Sequence, residues 1–420
     1  MSALLDSLAD GFNGPDARRA MLDAAVRDGL PDARSESWKY TSLRALAQRR
    51  FAPVDVLPAI DPELAAMIPS PRLVFVNGRY AAQLSDTAAL PEGIALTRLS
   101  ERLEQEGYAK IRPLHRRFPH RDDVFARVNG ALADEGVWLR VEEYAEPAAP
   151  LHLVFIATET GTDHAWHPRH LFDIRHGATL SLFEHHLSIG APAHMDNSMA
   201  HVHLKQGARL HHARIQHHAS TMTSLLRTDA VLARDACYQR IDLELGAKMS
   251  RHEFNVRLEG DHARLNANGI LLSHDRRHLD TRLGIEHIAE NTFCELNWRG
   301  IATDHGRTVF HGSIHIRQGA DGSNASLSNK NLLLSADAEV DTQPVLVINA
   351  DDVKAAHGAT VGQLDANALF YLYSRGIPET QARKLLTAAF CREPLGIADA
   401  ETSGLLMQLL DQALSTAGMA

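Results

Sequence analysis

The pattern of apolar and polar residues divides the chain into three parts. Near both ends apolar residues recur at helical spacing, whereas the middle is a succession of short runs typical of β-strands. We therefore predict an N-terminal helical region with a small hairpin over 1–136, a β core over 137–348 and a C-terminal helical domain over 349–420. The predicted fold class is mainly β with helical ends.

Local signals support the first of these parts. A helical pattern opens at Pro15 and ends near Gly29, where glycine is a common C-terminal cap. The Asn77-Gly78 pair stands between two short apolar runs, and this arrangement predicts a hairpin over 73–84.

Repeated corners are the main feature of the β core. Similar segments begin at Gly177, Gly207 and Asp261, each leading into a new strand-like run, and successive corners lie about 25–30 residues apart. The runs leave no space for helices of about 12 residues, which argues against parallel βαβ units. A β-solenoid and a β-sandwich remain, and the repeated corners favour the solenoid.

Composition and charge narrow the classes of function. The chain has 45% hydrophobic residues and a formal net charge of −9, which disfavours non-specific nucleic-acid binding. Its three cysteines are widely spaced, as expected in a reducing compartment. No apolar run reaches the roughly 18 residues that span a bilayer. We expect a cytoplasmic protein without membrane or nucleic-acid partners.

Common catalytic and nucleotide-binding motifs are absent from the sequence. It contains no G-x-x-x-x-G-K-[ST], no G-x-S-x-G and no C-x-x-C. Histidine is abundant instead, and all but three of the 25 histidines lie between His152 and His315. His201 and His203 alternate on a predicted strand and so share one face, where a third ligand from a neighbouring run would complete a metal site. Ordinary solvated strand histidines are the alternative.

A polar segment lies where the strands give way to helices. Residues 351–362 read DDVKAAHGATVG, with His357 followed directly by glycine. An imidazole at an exposed corner is available as a metal ligand. The alternative is that His357 only hydrogen-bonds within the corner.

Four segments carry a longer pattern: SESWKYTSL (35–43), FARVNGALADEGVWLRV (125–141), NLLLSADAEVDTQPVL (331–346), and DDVKAAHGATVGQLD followed by ALFYLYSRGI (351–377). These segments resemble the SufB/SufD family of iron–sulfur cluster assembly scaffolds, and its SufD branch in particular. The resemblance covers residues 35–390. It implies a right-handed parallel β-helix core and a non-catalytic scaffold subunit.

The resemblance also implies partners and a site. In a SufBCD-type complex the chain would pair with a SufB-like paralogue through its core and with a SufC-like ABC ATPase through its C-terminal helices, at Tyr371, Tyr373, Arg375 and Gly376. The matching position makes His357 a ligand of a transient iron–sulfur cluster at the SufB interface, to be passed to apoproteins. The resemblance also implies a reduced flavin in the complex. It is compatible with a homodimer of the isolated chain.

The chain departs from the family at one position near this site. Ala355 stands where members often carry a cysteine, so cluster ligation would rely on His357 and on the partner. Two alternative functions are an autonomous metal-binding β-helix homodimer and a β-helix enzyme acting on polysaccharides. Scattered acidic residues disfavour the enzyme, which needs paired carboxylates.

Overall fold

The computed structural model describes residues 2–32, 34–55, 57–58, 60–115, 118 and 121–419. Within them the helices are α1 Ala3–Asp10, α2 Asp16–Asp28, α3 Arg44–Ala47, α4 Pro62–Ala66, α5 Leu99–Glu106, α6 Val124–Leu132, α7 Ala366–Ser374, α8 Glu379–Arg392 and α9 Ala400–Thr416. Short 3₁₀ turns lie at Glu36–Trp38, Tyr108–Lys110, Arg112–His115, Arg121–Asp123 and Glu393–Ile397.

The strands outnumber the helices. They are β1 Arg72–Val76, β2 Arg79–Tyr80, β3 Ile94–Arg98, β4 Val137–Val141, β5 Leu151–Thr158, β6 Ala165–Trp166, β7 Arg169–Ile174, β8 Thr179–Ile189, β9 Met195–Asp196, β10 Met199–Leu204, β11 Arg209–His217, β12 Thr223–Leu232, β13 Cys237–Glu244, β14 Met249–Leu258, β15 Arg264–Ser273, β16 His278–His287, β17 Phe293–Ala302, β18 Arg307–Ile316, β19 Asn324–Leu333, β20 Glu339–Ile348 and β21 Lys354–Gly362.

The strands form a parallel β-solenoid, which confirms the predicted fold class and excludes the sandwich. From β10 onward, successive strands alternate between an eleven-stranded sheet and a ten-stranded sheet, so each turn gives one strand to each. Strands of adjacent turns pair in parallel, for example β11 with β13 and β12 with β14. Apolar side chains of both sheets meet in a core that runs from Leu73 to Leu327.

The repeated corners stack along the solenoid. Gly177 and Gly207 have φ of +64° and +68°, and His262 has φ of +63°, a region where glycine is the least strained residue. The Gly177 N–H donates to the Gln206 carbonyl at 2.9 Å, and Gly207 N–H donates to Arg234 at 2.9 Å. Each corner is therefore hydrogen-bonded to the corner of the next turn, as the spacing predicted.

Helices cover parts of the outer surface. α1, α2 and α6 form an apolar cluster with Trp38 and Leu225. At the other end of the chain, α8 and α9 pack on the outer face of the ten-stranded sheet, where Leu406 and Leu410 share a cluster with Ile241. Within the described ranges, no helix combines the length and apolar character needed to cross a bilayer.

The terminal regions also contribute strands to the solenoid. β1 pairs with β2 through the Asn77-Gly78 turn and continues in parallel into β5. β21 adds a last strand to the ten-stranded sheet inside the segment predicted to be the C-terminal helical domain. The division into three domains stays a prediction.

Candidate functional site

The last turn of the solenoid forms an open end, defined here by β20 and β21. These strands terminate the two sheets, and across the described residues neither has a strand on its outer edge. Ile348 and Val361 are each 44% exposed, although their pairing partners Ile316 and Asn331 are buried. Inward-facing residues of the last turn are therefore uncovered because no further turn stacks on them.

His357 lies at this open end, on the inward-facing side of β21. Strand pairing places it in one row of the ten-stranded sheet, and this row runs through Leu182, His212, Arg240, Ala267, Leu296, Leu327 and His357. Leu296 and Leu327 belong to the core between the sheets, so the row faces inward. His357 is nevertheless exposed, since the row ends with it.

Local hydrogen bonds hold β21 at both of its ends. The Gly322 N–H donates to the Asp352 carbonyl at 2.7 Å, which ties the corner before β21 to the preceding turn. After β21, the Asp365 carboxylate caps α7 by accepting from the N–H groups of Asn367 and Ala368 at 2.7 and 3.0 Å. The backbone around His357 is thus fixed by the sequence on either side.

No thiol of the described residues accompanies His357. Ala355 pairs with Ala325, which in turn pairs with Cys294, so the nearest cysteine of that row lies two strands inside the solenoid. Burial raises the pKa of Cys294 to about 12, and that of Cys391 likewise to about 12. Both thiols are therefore protonated core groups at neutral pH.

The helix after β21 presents an uncovered surface. No residue of α7 is buried, and Phe370 and Tyr371 are 72% and 57% exposed. The Arg375 guanidinium lies over the Tyr371 ring at 5.2 Å, and Gly376 ends the helix with φ of +84°. Tyr373 is half-buried. The four expected partner-binding residues thus lie in the last turn of α7 and just after it, and Phe370, which the sequence analysis missed, is the more exposed of the two aromatic residues Phe370 and Tyr371.

His201 and His203 lack the geometry of a shared metal site. The Nε2 atom of His201 lies 3.1 Å and 2.9 Å from two guanidinium nitrogens of Arg169. Neither histidine belongs to the groups of possible ligands that lie close together in the described residues. They are not ordinary solvated residues either, because His201 is buried.

The middle turns hold a buried polar cluster that the sequence analysis did not predict. It comprises Glu184, His186, His212, Arg214, Arg240, Asp242, Glu244 and His252, all facing inward between β8 and β14. Asp242 lies 3.0 Å from both the Arg214 and the Arg240 guanidinium. Burial opposes ionisation of Asp242, but the two guanidinium groups outweigh it and hold its carboxyl pKa well below the usual range.

Three nearby imidazoles are neutral because burial disfavours their charged form. Burial lowers the pKa of His218 and His185 to about 3 and that of His170 to about 4. A signal was present in the sequence, since His212, Arg214 and His218 have the same parity as the core residue Leu210. Parity alone could not show that both faces of this sheet are covered.

The chain is similar to known proteins along most of its length. The family model described as "SUF system FeS cluster assembly, SufBD core domain" matches residues 155–390. The chain is 32% identical over 394 residues to the iron–sulfur cluster assembly protein SufD of Escherichia coli (strain K12), covering 92% of this chain and 89% of that protein. It is 29% identical over 383 residues to an iron–sulfur cluster assembly SufBD family protein of Synechocystis, covering 87% and 83%.

Proposed function

The chain belongs to the SufBD family of the SUF iron–sulfur cluster assembly system, and from this premise we propose that it is a non-catalytic scaffold subunit of a SufBCD-type complex. In this proposal a SufB-like paralogue docks on the open end, and the nascent cluster forms between the two chains before transfer to an apoprotein. The observation that carries the proposal is the exposed, inward-facing position of His357 in the last turn.

The open end has the properties of an interface between solenoids. Its strands offer unpaired backbone N–H and C=O groups, and such edges pair readily with another chain. Ile348 and Val361 add apolar surface in positions that are buried in every earlier turn of their rows. A partner solenoid that continues both sheets would bury these side chains and bring its own residues next to His357.

The ligand chemistry suits a site that must release its product. Iron in a cluster prefers thiolate but accepts imidazole, and a neutral imidazole contributes no negative charge. Because Cys294 and Cys391 are buried and protonated, the thiolate comes from the partner. A cluster held by one imidazole and a partner's thiolate would be lost when the two chains move apart.

We assign ATP hydrolysis to a SufC-like subunit bound to α7. The exposed Phe370 and Tyr371, with Arg375 beside them, offer an aromatic and cationic surface of the kind common at interfaces. Only residues 363–365 separate β21 from α7. A rigid-body movement of the helix would therefore reach the strand that carries His357. Electron supply, including the expected reduced flavin, belongs to the complex in this proposal.

The test is a His357→Ala variant in the assembled complex. The chain is co-produced with its SufB-like and SufC-like partners and purified without oxygen, and iron and acid-labile sulfide are measured per complex. We expect His357→Ala to leave the complex intact and to remove most of the cluster, whereas the control His305→Ala, also an exposed histidine, leaves cluster content unchanged. Normal cluster content in the His357→Ala complex would eliminate the ligand role.

A further inference from the structure

Three buried side chains near the middle of the solenoid form a compact group separate from His357. His186 lies on β8, Asp196 on β9, and His218 directly follows β11. One ligand atom of each lies within 4.8 Å of the ligand atoms of the other two. All three residues are at least 98% buried, with exposures of 2%, 1% and 2% respectively.

Three ring nitrogens of this group have no hydrogen-bond partner. Neither ring nitrogen of His186 has a hydrogen-bond partner, and the same holds for Nδ1 of His218. The His186 Nδ1 atom is 3.6 Å from Asp196 Oδ2, which is too long for a hydrogen bond. It is close to the separation of about 3.3 Å between ligand atoms in a tetrahedral zinc site, where bonds are about 2.0–2.1 Å long.

We propose that His186, Asp196 and His218 bind a single divalent transition-metal ion, and that Zn²⁺ is the ion that fits best. Two imidazoles and a carboxylate form a ligand set that zinc accepts. The site is independent of the proposed cluster site, because it lies inside the solenoid rather than at its open end.

Residues behind the ligands support this assignment. Glu184 Oε2 lies 3.6 Å from His186 Nε2, the ring nitrogen on the far side from Asp196, which is too long for the hydrogen bond of a carboxylate–histidine–metal arrangement but places a carboxylate on that side of the ring. The Ser198 hydroxyl donates to Asp196 Oδ1 and leaves Oδ2 for the ion.

The position of the group indicates what the ion would do. His186 and His218 belong to the ten-stranded sheet, where His186 pairs with Gln216, two residues before His218. Asp196 pairs with Ser224 of β12 in the eleven-stranded sheet. An ion bound by all three would cross-link the two sheets and two successive turns, which is a structural role. Coordination would also give the unpaired ring nitrogens of His186 and His218 a bonding partner.

The test measures metal in the isolated full-length chain. The protein is unfolded in chelator, refolded with Zn²⁺ or Co²⁺ and dialysed against EDTA, and bound metal is measured by mass spectrometry. We expect the wild-type chain to retain a single ion and the Co²⁺ form to show the absorption of a tetrahedral site. Asp196→Asn and His218→Gln should retain none. His274→Gln should retain the ion, since it alters a second group of possible ligands, in which His274 is buried but Asp275 and Asp304 are exposed.

The outcomes separate this site from the cluster site. His357→Ala should keep the ion, and loss of the ion in that variant would overturn the assignment. Retention of the ion by both Asp196→Asn and His218→Gln would also overturn it. So would a wild-type chain that keeps no metal, and His186 would then be an imidazolium between Asp196 and Glu184. If circular dichroism shows that those variants do not fold, the Co²⁺ spectrum of the wild-type chain tests the ligand assignment. A thiolate charge-transfer band would show that a cysteine binds the ion and would overturn the proposal.

Discussion

His212 and His357 occupy the same inward-facing row of the ten-stranded sheet but lie in opposite environments. His212 has β8 and β13 on either side, is buried and lies 2.9 Å from the Tyr238 hydroxyl. His357 has only β19 beside it and is exposed. In a solenoid, the burial of an inward-facing residue thus depends on whether another turn follows, and not on the pattern of its own strand.

The middle turns and the open end differ in the same way as these two histidines. In the middle turns, the buried Asp242 carboxylate pairs with the Arg214 and Arg240 guanidinium groups, and Arg240 also lies over the Phe254 ring at 4.8 Å. Exchange of a ligand there requires the solenoid to open. At the open end, backbone edges and side chains are accessible in the isolated chain, so a ligand or partner binds without unfolding. We therefore expect stability to be concentrated in the middle turns and partner recognition at the open end.

The largest expected effect comes from removing a buried carboxylate. Asp242→Asn leaves Arg214 and Arg240 without the group they share, and breaking such a buried pair typically costs about 3–5 kcal/mol of unfolding free energy. The control Glu295→Gln changes an exposed carboxylate on β17. Denaturant titration followed by circular dichroism measures both. Equal stability of the two variants would contradict the view that the interior depends on paired charges.

Comparing His212→Ala with His357→Ala sharpens the contrast within one row. His212→Ala leaves Glu184 without a partner that lies 3.3 Å away, and an unsatisfied buried group costs about 1–3 kcal/mol. His357→Ala should change the unfolding free energy by less than about 0.5 kcal/mol, as usual for exposed positions. The same titration measures both variants. A destabilisation of His357→Ala as large as that of His212→Ala would mean that the last turn is packed in the isolated chain.

An imidazole in the interior should also make stability depend on pH. Burial lowers the pKa of His287 from 6.5 to about 4. Above pH 6.5 the ring is neutral in both states. As pH falls from 6.5 to about 4, only the unfolded chain takes up the proton, so stability is lost by up to about 1.4 kcal/mol per pH unit.

The matched measurement is the slope of stability against pH in this window. The slope of His287→Gln should be smaller than that of the wild-type chain by up to about 1.4 kcal/mol per pH unit. The variant also loses the contacts of the ring to Thr292 and Cys294. The exposed His305→Gln should keep the wild-type slope. An unchanged slope in His287→Gln would show that the ring is protonated in the folded chain.

The smallest effect on the chain itself is expected at the open end. Val361→Lys should alter the unfolding free energy by less than about 0.5 kcal/mol, because the side chain is already half exposed. Association with the SufB-like partner, or of two copies of the isolated chain, should weaken at least about tenfold, since a charge would enter an apolar contact. Sedimentation velocity measures both associations. If the variant associates as strongly as the wild-type chain, the open end is not the interface.

The prediction from sequence was most accurate where local chemistry determines structure. Corners at Gly177 and Gly207, and the helix that ends before Gly29, follow from residues that tolerate positive φ or cap helices. The position of His357 at the end of the strands followed from the change of period around residue 349 and from the family resemblance. Its role as a ligand stays a prediction.

The interior could not be predicted in the same way. His186, Asp196 and His218 are separated by 9 and 21 residues along the chain, which is no recognised ligand spacing. They meet because β8 pairs with β11 in one sheet and β9 pairs with β12 in the other, which brings two successive turns together. The same holds for Asp242 and Arg214, whose contact depends on the pairing of β11 with β13.

The amino-acid order alone determined the repeating corners, the strand-rich middle and the helical ends, since turn geometry and hydrophobic period act over a few residues. Only the tertiary structure decided which inward-facing side chains are buried and which is left uncovered at the last turn. The physical reason is that burial and desolvation depend on neighbouring turns, which lie about 30 residues away along the chain.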